Sequence, residues 1–401
     1  MIGAWPGGTR MTNDLILKKG EFLVLLWTVF AAYVVLYGLQ PLLPAFGQAF
    51  HVSNQAASLI MTLGILPLGL APVCYGYILN LCTTRTLIVA STSLCAASIL
   101  VSLFATSFAV FLGLRALAAL MIPAIVLGVM THIATFESAE KMQRTMTVYT
   151  TVTMFGAFGG RIGSGLVANA LDLDAVLVVH AVLLLTTLPF VCRLPESPTL
   201  QRDIFSPKHV LKVVRQPHLL ALMSIGPLCI FAHASVLNMA PFHLRELLPD
   251  AGTFITGLLY APAFVCTMLG VFSKRVLKVL HGEMQTIRMG VFIFIGSVLF
   301  LLFDTPLALF ISIFFMTAGF VLVYTTLPGV VNRVSLSPKN MTNSVYLSVY
   351  YSLSALGTWL PILVYSNFGI GMYVCTLLLV FFLALGLAQK HIHLSLEKKN
   401  I

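Results

Sequence analysis

The chain has 401 residues, of which 59% are hydrophobic and only 9% are charged, and its formal net charge is +10. An ordinary soluble domain has about 25% charged residues, so this composition excludes a soluble globular protein. A basic excess is also typical of nucleic-acid-binding proteins, but here the Lys and Arg residues are confined to gaps between apolar stretches. Basic residues in that arrangement face the anionic headgroups of a lipid bilayer, and no nucleic-acid partner is expected.

Twelve apolar stretches follow one another along the chain. Each is long enough to cross the hydrocarbon core of a bilayer, which takes roughly 20 helical residues. Backbone amides in lipid have to form hydrogen bonds within their own segment, so helices are the expected element. The predicted spans are residues 22–44, 55–80, 86–106, 108–133, 146–168, 174–192, 218–242, 253–273, 285–303, 306–331, 342–366 and 370–390. The sequence therefore predicts an all-α polytopic membrane protein with twelve transmembrane helices.

The basic residues mark every second connection between these spans. Of the 23 Lys and Arg residues, only Arg245 falls in a connection on the opposite side, and Arg115 and Arg161 fall inside spans. The positive-inside rule then places the basic connections and both chain termini in the cytoplasm.

The longest basic connection divides the spans six and six. Residues 193–217 hold five Lys and Arg residues, and residues 206–215 have the pattern of a short amphipathic helix lying on the inner leaflet. We therefore predict an N-terminal six-helix bundle over residues 1–192, a cytoplasmic linker over 193–217 and a C-terminal six-helix bundle over 218–401.

Five short motifs, together with the six-plus-six layout, carry a resemblance to a known family. They are Leu36-Tyr-Gly-Leu-Gln-Pro-Leu-Leu-Pro, Arg115-Ala-Leu, Gly156-Ala-Phe-Gly-Gly-Arg-Ile-Gly-Ser-Gly, Leu194-Pro-Glu-Ser and Asn343-Ser-Val-Tyr-Leu-Ser-Val-Tyr-Tyr. The chain resembles the major facilitator superfamily, and its motifs are similar to those of bacterial inner-membrane efflux transporters in the drug:proton antiporter branch. The resemblance implies alternating access, in which two bundles of inverted three-helix repeats rock about a central site. It further implies a multi-pass protein of the bacterial inner membrane that acts on a small molecule and protons, and we expect a monomer.

One connection departs from the family pattern. Between spans 2 and 3 the family has Gly-x-Leu-Ala-Asp-Arg-x-Gly-Arg-Arg, whose charged residues hold the two halves in one state. The matching stretch begins at Gly76, has Asn80 in place of the acid and keeps a single charge at Arg85. The related stretch over residues 271–278 in the second half is degraded in the same way. We therefore expect the gating contact of the relatives to be altered here.

Two arginines lie inside predicted spans, where a charge is costly and indicates a functional site. Arg115 and Arg161 are each about seven residues from the outer ends of spans 4 and 5, which places both about 10 Å below the outer surface. No acidic residue is embedded beside them, so a bound carboxylate or phosphate would neutralise them. The alternative is that each arginine bonds carbonyl groups at a contact between helices. Gly156, Gly160 and Gly163 share one face of the fifth span and predict a close helix contact, with Arg161 on another side.

Proton coupling needs a titratable group, and none of the 13 acidic residues lies deep in a span. Glu21 sits at the cytoplasmic mouth of the first span. His233 lies near the middle of the seventh span, and imidazole is the side-chain group whose unperturbed charge change falls near neutral pH. A neutral histidine bonded within the bundle, coupling through the substrate's own protons, and uniport are the alternatives.

Polar side chains form stripes on the first and eleventh spans. Tyr33, Tyr37 and Gln40 follow one helical face, and Asn343, Tyr346 and Tyr350 follow another. Such stripes line a wet cavity or make ordinary hydrogen bonds between helices, and the sequence leaves both open.

No motif indicates an enzyme, a metal site or a cofactor, since the seven Cys residues are scattered and no phosphate-binding loop is present. We predict a secondary active transporter that exports a small anionic or carboxylate molecule, an organic acid or a carboxylate siderophore, in exchange for protons. A multidrug:proton antiporter for amphipathic compounds is the alternative. A membrane-embedded enzyme or scaffold acting on lipids would need clustered catalytic groups, which the sequence does not contain.

Overall fold

The computed structural model of the chain describes residues 17–137, 139–197, 211, 213, 215–269, 280, 282–337 and 339–397. Within these ranges the chain is helical and contains no strand. The helices are α1 Lys19–Tyr37, α2 Leu43–Ala49, α3 Asn54–Leu81, α4 Thr84–Ser102, α5 Phe108–Phe136, α6 Ala139–Ala170, α7 Leu173–Leu185, α8 Leu188–Val191, α9 Pro217–Leu247, α10 Thr253–Leu258, α11 Ala261–Leu269, α12 Glu283–Leu299, α13 Pro306–Val334, α14 Lys339–Gly357 and α15 Leu360–Glu397.

Polar residues in the connections fix where several helices begin. The side chain of each capping residue accepts a hydrogen bond from the backbone N–H three positions later, which satisfies one of the free donors of the first turn. These caps are Ser53, Thr83, Ser107, Asp172 and Thr305. The apolar runs that follow are thus started by the short polar segments that separate them.

Interruptions divide some of the long helices. After α1 the chain makes a 3-10 turn over Gln40–Leu42, with Pro41 inside it, before α2 begins. Within α15 the backbone of Gly369 has φ 76°, a left-handed conformation that glycine adopts without strain, so α15 is two helices joined at a kink.

The predicted fold class is confirmed, although the number of spans is not fixed by length and composition alone. Eight helical stretches of the described chain are long and apolar enough to cross a membrane, and the last of them, Met341–Gln389, has 49 residues. Two shorter apolar helices, Asn54–Leu70 and Thr253–Thr267, add to them. The described helices are compatible with the predicted twelve spans.

We refer to α1–α8 as the first half and to α9–α15 as the second half. The end of the bundle that holds residues 17 and 397 is called the proximal end, and the opposite end the distal end. Helix α3 packs against α14, and α6 packs against α10 and α11, so both contacts join the halves. Most of the predicted linker, including residues 198–210, lies outside the described residues, as does the stretch 270–279.

Glycines allow the halves to approach closely. A Cβ atom added to Gly69 would lie 2.5 Å from Oγ of Ser352, and one added to Gly165 would lie 2.9 Å from Cα of Gly257. Backbones can come this close only where side chains are absent. Both contacts therefore hold α3 against α14 and α6 against α10.

Candidate functional site

A cavity of about 150 Å³ lies between the two halves. Its walls come from α1, the Gln40 turn, α3 and α6 on one side and from α9, α11, α13 and α14 on the other. No Asp or Glu is among the described residues that line it. The lining residues are Tyr33, Tyr37, Gln40, Ile65, Thr150, Thr153, Met154, Ala157, Phe158, Arg161, Ile230, His233, Ala234, Leu237, Thr267, Phe320, Tyr324, Tyr350, Tyr351 and Ser354.

Arg161 is the charged group of this cavity among the described residues, and it is 4% exposed. Its Nε donates to Oε1 of Gln40 over 2.8 Å, and its Nη1 donates to the carbonyl oxygen of Ala157 over 3.1 Å. Both acceptors are uncharged. A buried guanidinium that lacks a carboxylate is costly to desolvate, and a bound anion would reduce that cost.

Aromatic rings surround this guanidinium. Its Cζ lies 4.4 Å from the ring centre of Tyr37, 5.0 Å from that of Tyr260 and 5.1 Å from that of Phe158. The faces of such rings carry negative electrostatic potential, so they stabilise the cation without neutralising it. They also restrain the plane of the guanidinium, which leaves its free N–H groups in a fixed direction.

A chain of polar side chains continues from Arg161 into the second half. Gln40 accepts from Arg161 and donates through Nε2 to Oδ1 of Asn238 over 3.2 Å. Asn238 donates through Nδ2 to the carbonyl oxygen of Thr358 over 2.8 Å. The hydroxyl groups of Thr358 and Thr62 lie 2.8 Å apart. Residues of α3, α6, α9 and the Gln40 turn are thus linked at one depth of the bundle.

The wall opposite Arg161 is aromatic. The imidazole of His233 stacks on Phe320 with centroids 4.4 Å apart and 13° between the planes, and Phe320 stacks on Tyr324 at 5.2 Å and 20°. Tyr350 packs edge-on against Tyr351 at 5.2 Å and 89°. Three helices, α9, α13 and α14, therefore present a continuous surface of rings to the cavity.

Arg115 lies elsewhere. It is 4% exposed, and its Nη2 donates to the carbonyl oxygen of Leu36 over 2.8 Å at the contact between α5 and α1. It borders a separate void of about 10 Å³, beside His180 and Phe111. The structure therefore does not bring Arg115 and Arg161 together, and Arg115 has the helix-contact geometry that the sequence left open as the alternative.

The predicted polar stripes are only partly brought together. Tyr33, Tyr37, Gln40 and Tyr350 line the cavity. Asn343 instead accepts from Nδ2 of Asn332 on α13 over 2.8 Å, toward the proximal end. Tyr346 is buried at 3% exposure and packs on Gly226 of α9, away from the cavity.

The predicted glycine face is also divided. A Cβ on Gly156 would lie 2.7 Å from the carbonyl oxygen of Phe30, and a Cβ on Gly160 would lie 2.7 Å from Cα of Val34, so these two glycines hold α6 against α1. A Cβ on Gly163 would meet no atom within 4 Å. The close contact thus depends on two of the three glycines.

The proton-coupling and gating candidates occupy different ends of the molecule. His233 borders the cavity, with Nε2 3.4 Å from Oγ1 of Thr317. Glu21 accepts from the backbone N–H of Lys18 and caps the proximal start of α1. Gly76 and Asn80 lie in the last turns of α3, where the environment of both residues is outside the described part of the chain. Arg85 forms an ion pair with Glu196 and donates to the carbonyl oxygen of Leu194 over 3.1 Å, and both partners lie at the start of the linker that follows the first half.

Several polar side chains near the cavity and at the distal end were not predicted from the sequence. Asn238 and Tyr260 lie in apolar runs with no pattern that marks them. A second cluster lies at the distal end: the Tyr365 hydroxyl donates to Glu246, and Nδ1 of His243 lies 3.0 Å from the same hydroxyl. His243 and Glu246 are three residues apart on α9, a spacing that places them on one helical face. That spacing is the sequence pattern from which this pair could have been predicted.

Comparison with known proteins gives a consistent family match. The family profile described as Major Facilitator Superfamily matches residues 25–358. An uncharacterised MFS-type transporter of Bacillus subtilis, YybF, is 24% identical over 379 residues, which cover 90% of this chain and 91% of the relative. An uncharacterised transporter of Buchnera aphidicola is 20% identical over 82% of this chain and 80% of its own length.

Solved structures show the same fold. The nucleoside transporter NupG has a TM-score of 0.74 at 13% identity, covering 93% of this chain and 99% of its own. The POT family transporter PepTSo has a TM-score of 0.70 at 12% identity, covering 94% and 97%. The chain therefore belongs to the Major Facilitator Superfamily and is a multi-pass membrane transporter of the secondary type, not an enzyme.

Proposed function

We propose that this Major Facilitator Superfamily transporter exports a small anionic molecule, an organic acid or a carboxylate siderophore, across the bacterial inner membrane in exchange for protons. The observation that carries the anionic substrate is Arg161. It is buried in the cavity between the halves, and its acceptors among the described residues are an amide and a backbone carbonyl. A substrate carboxylate would supply the missing negative charge and form charge-assisted hydrogen bonds.

The mechanism that we propose is alternating access. The cavity is lined by both halves, and Gln40 and Asn238 connect them at its distal side. When the halves rock, these contacts break and the cavity opens toward the distal end. Bundles over residues 1–192 and 218–401, joined by the linker 193–217, are the moving bodies in this proposal.

The direction and orientation belong to the same proposal. Export follows from the similarity of the motifs to those of efflux transporters, and cytoplasmic termini follow from the distribution of basic residues. The proximal end is then cytoplasmic and the distal end faces the periplasm. A monomer suffices, because one chain supplies every wall of the cavity.

Proton coupling is assigned to His233 first, because its imidazole borders the cavity that holds Arg161. Glu21 is less favoured, because it caps a helix at the proximal end. His243 and Glu246 are a further candidate pair at the distal end, where protons would arrive from the periplasm. Gating by Gly76, Asn80 and Arg85 is proposed as a weaker contact than that of the relatives, since Arg85 pairs with Glu196 at the start of the linker and not with the second half.

A second candidate function has one observation in its favour. Most of the cavity lining is apolar or aromatic, and aromatic rings also bind cationic or amphipathic compounds. A multidrug:proton antiporter is therefore the alternative, with Arg161 held in place by its rings as a structural group.

Counterflow in proteoliposomes distinguishes an exporter of anions from a multidrug antiporter. We expect vesicles loaded with an unlabelled organic acid to accumulate the labelled acid, and Arg161→Gln to abolish this while the protein remains monodisperse. Arg333→Gln is the matched control, because it removes one positive charge from an exposed ion pair with Glu283. Accumulation of labelled tetraphenylphosphonium, with none for any organic anion, would favour the multidrug alternative.

A further inference from the structure

The cavity holds one uncompensated positive charge among its described lining residues, and this limits the charge of the ligand. Arg161 is in the cavity, whereas Arg115 donates to the carbonyl oxygen of Leu36 beside a separate void. While His233 is neutral, a dianion or trianion would therefore bring one or two negative charges that no cation among the described lining residues neutralises. Burying an unpaired carboxylate costs several kcal/mol, so a single negative charge fits this site best.

The hydrogen bonds of Arg161 also limit how a ligand can bind to its guanidinium group. A guanidinium has five N–H groups, and two of them are used by Gln40 and Ala157. Because Nε is occupied, the donors that remain are those of Nη2 and one of Nη1. These two nitrogens form the end of the guanidinium fork, which matches the two oxygens of one carboxylate. The three rings around Cζ hold that fork in place.

The rest of the cavity is suited to a flat ring. A cavity of about 150 Å³ is the size that holds benzene in an engineered protein interior, and this cavity has the same volume. Its far wall is a surface of stacked and tilted rings formed by His233, Phe320, Tyr324 and Tyr350. An aromatic ligand gains offset-stacked or edge-to-face contacts there that an aliphatic ligand of equal size does not.

We infer that the ligand of this site is an aromatic monocarboxylate of about the size of benzoate, bound with its carboxylate on Arg161 and its ring against the wall formed by α9, α13 and α14. The inference rests on the proposed function and narrows it. It favours a small aromatic acid over a polycarboxylate siderophore, which brings more negative charges than Arg161 neutralises.

Ligand-induced stabilisation of the purified protein tests the inference with four probes: benzoate, benzamide, cyclohexanecarboxylate and citrate. We expect benzoate to raise the melting temperature at the lowest concentration. Benzamide has the same shape without the charge, and its apparent Kd should be weaker by about tenfold or more, because it loses charge-assisted hydrogen bonds. Cyclohexanecarboxylate should be weaker by about two- to tenfold, because it loses only the ring contacts.

Variants assign each part of the ligand to its wall. Arg161→Gln should bring the Kd of benzoate to that of benzamide, and Arg161→Lys tests the same site should the first variant be unstable. Tyr324→Leu should remove the preference for benzoate over cyclohexanecarboxylate, and Tyr324→Phe should keep it. Phe382→Leu is the control, since that ring is 57% exposed on the outer surface of the bundle.

The outcomes separate the inference from the function on which it rests. Tighter binding of citrate than of benzoate, or equal binding of benzoate and cyclohexanecarboxylate, would overturn the aromatic monocarboxylate and leave anion transport in place. Tighter binding of benzamide than of benzoate would overturn both. If no probe stabilises the protein, the inference is wrong, while the counterflow experiment still decides whether an anion is transported.

Discussion

The two embedded arginines show how much depends on what lies beside a residue. Both lie about seven residues from the outer ends of their predicted spans, and both are 4% exposed. Arg115 has a backbone carbonyl of α1 as its partner at a tight helix contact, whereas Arg161 borders a cavity large enough for a ring. An arginine that is sealed between helices stabilises the packing, while one that faces a cavity can bind a ligand.

His233 is the first candidate for the proton carrier, and its replacement tests that role. Replacing it with Gln keeps a hydrogen-bonding side chain near Thr317 but removes the titratable imidazole. We expect His233→Gln to retain counterflow of the labelled substrate and to lose accumulation driven by a pH gradient, because exchange needs no net proton movement. Glu246→Gln serves as the comparison at the distal cluster. Full gradient-driven accumulation by the His233 variant would exclude His233 as the sole proton carrier.

At the scale of helices, α6 shows what small residues contribute. Gly160 faces Val34 of α1, and Gly163, less than one turn away, faces open space. We expect Gly160→Ala to lower the stability of the purified protein by about 1–3 kcal/mol, because the added Cβ would overpack the contact. Gly163→Ala should change stability little, since alanine has room there and a higher helix propensity.

The melting temperature of the two variants in the same detergent is the measurement. Equal melting temperatures for Gly160→Ala and wild type would show that α1 and α6 are not in close contact. Loss of stability in Gly163→Ala alone would show that α6 packs closely through the face that holds Gly163 and not through the face that holds Gly160.

Much of the helical structure was predictable from the sequence. Apolar stretches separated by capping residues such as Ser53 and Thr305 predict helices and their approximate ends. The sequence could not predict that the first span continues through a 3-10 turn at Gln40 to Ala49, since tertiary contacts decide how a chain passes a proline. Nor could it show which side of α5 meets α1, the contact at which Arg115 donates to the carbonyl oxygen of Leu36.

The site itself was predictable only in part, for the same reason. Tyr33, Tyr37 and Gln40 follow a helical period, so their common face was visible in the sequence. Asn238 of α9, Tyr260 between α10 and α11, and Phe320 of α13 all belong to the second half, and their positions around the cavity depend on how those helices pack. Hydropathy and periodicity describe single helices and carry no information about which helices become neighbours.

On the scale of the whole molecule, the described contacts join the halves at the distal end. Arg245 of α9 donates to Oε1 of Gln48 of α2 over 2.8 Å, and Thr253 of α10 donates to the carbonyl oxygen of Gly165 over 3.1 Å. Deeper in the bundle, Asn238 bridges Gln40 and the Thr358 carbonyl. In alternating access these contacts have to break for the distal end to open.

We therefore expect Asn238→Leu to increase the population of molecules that are open at the distal end. The substitution leaves two buried polar groups without their partner, a loss of about 1–3 kcal/mol each. Spin labels at Asn54 and Asn367, which border the same distal cavity from the two halves, would report longer distances. Asn332→Leu is the matched control, because Asn332 bonds Asn343 within the second half. Identical distance distributions in both variants and wild type would contradict this role.

We assign anion binding in the cavity to Arg161. The most direct test is equilibrium binding of labelled benzoate and labelled citrate to purified wild type, Arg161→Gln and Arg115→Gln. We expect Arg161→Gln to weaken binding of the preferred anion by about tenfold or more, and the folded fraction of Arg115→Gln to bind it as wild type does. Unchanged affinity in Arg161→Gln, or a loss confined to Arg115→Gln, would contradict this assignment.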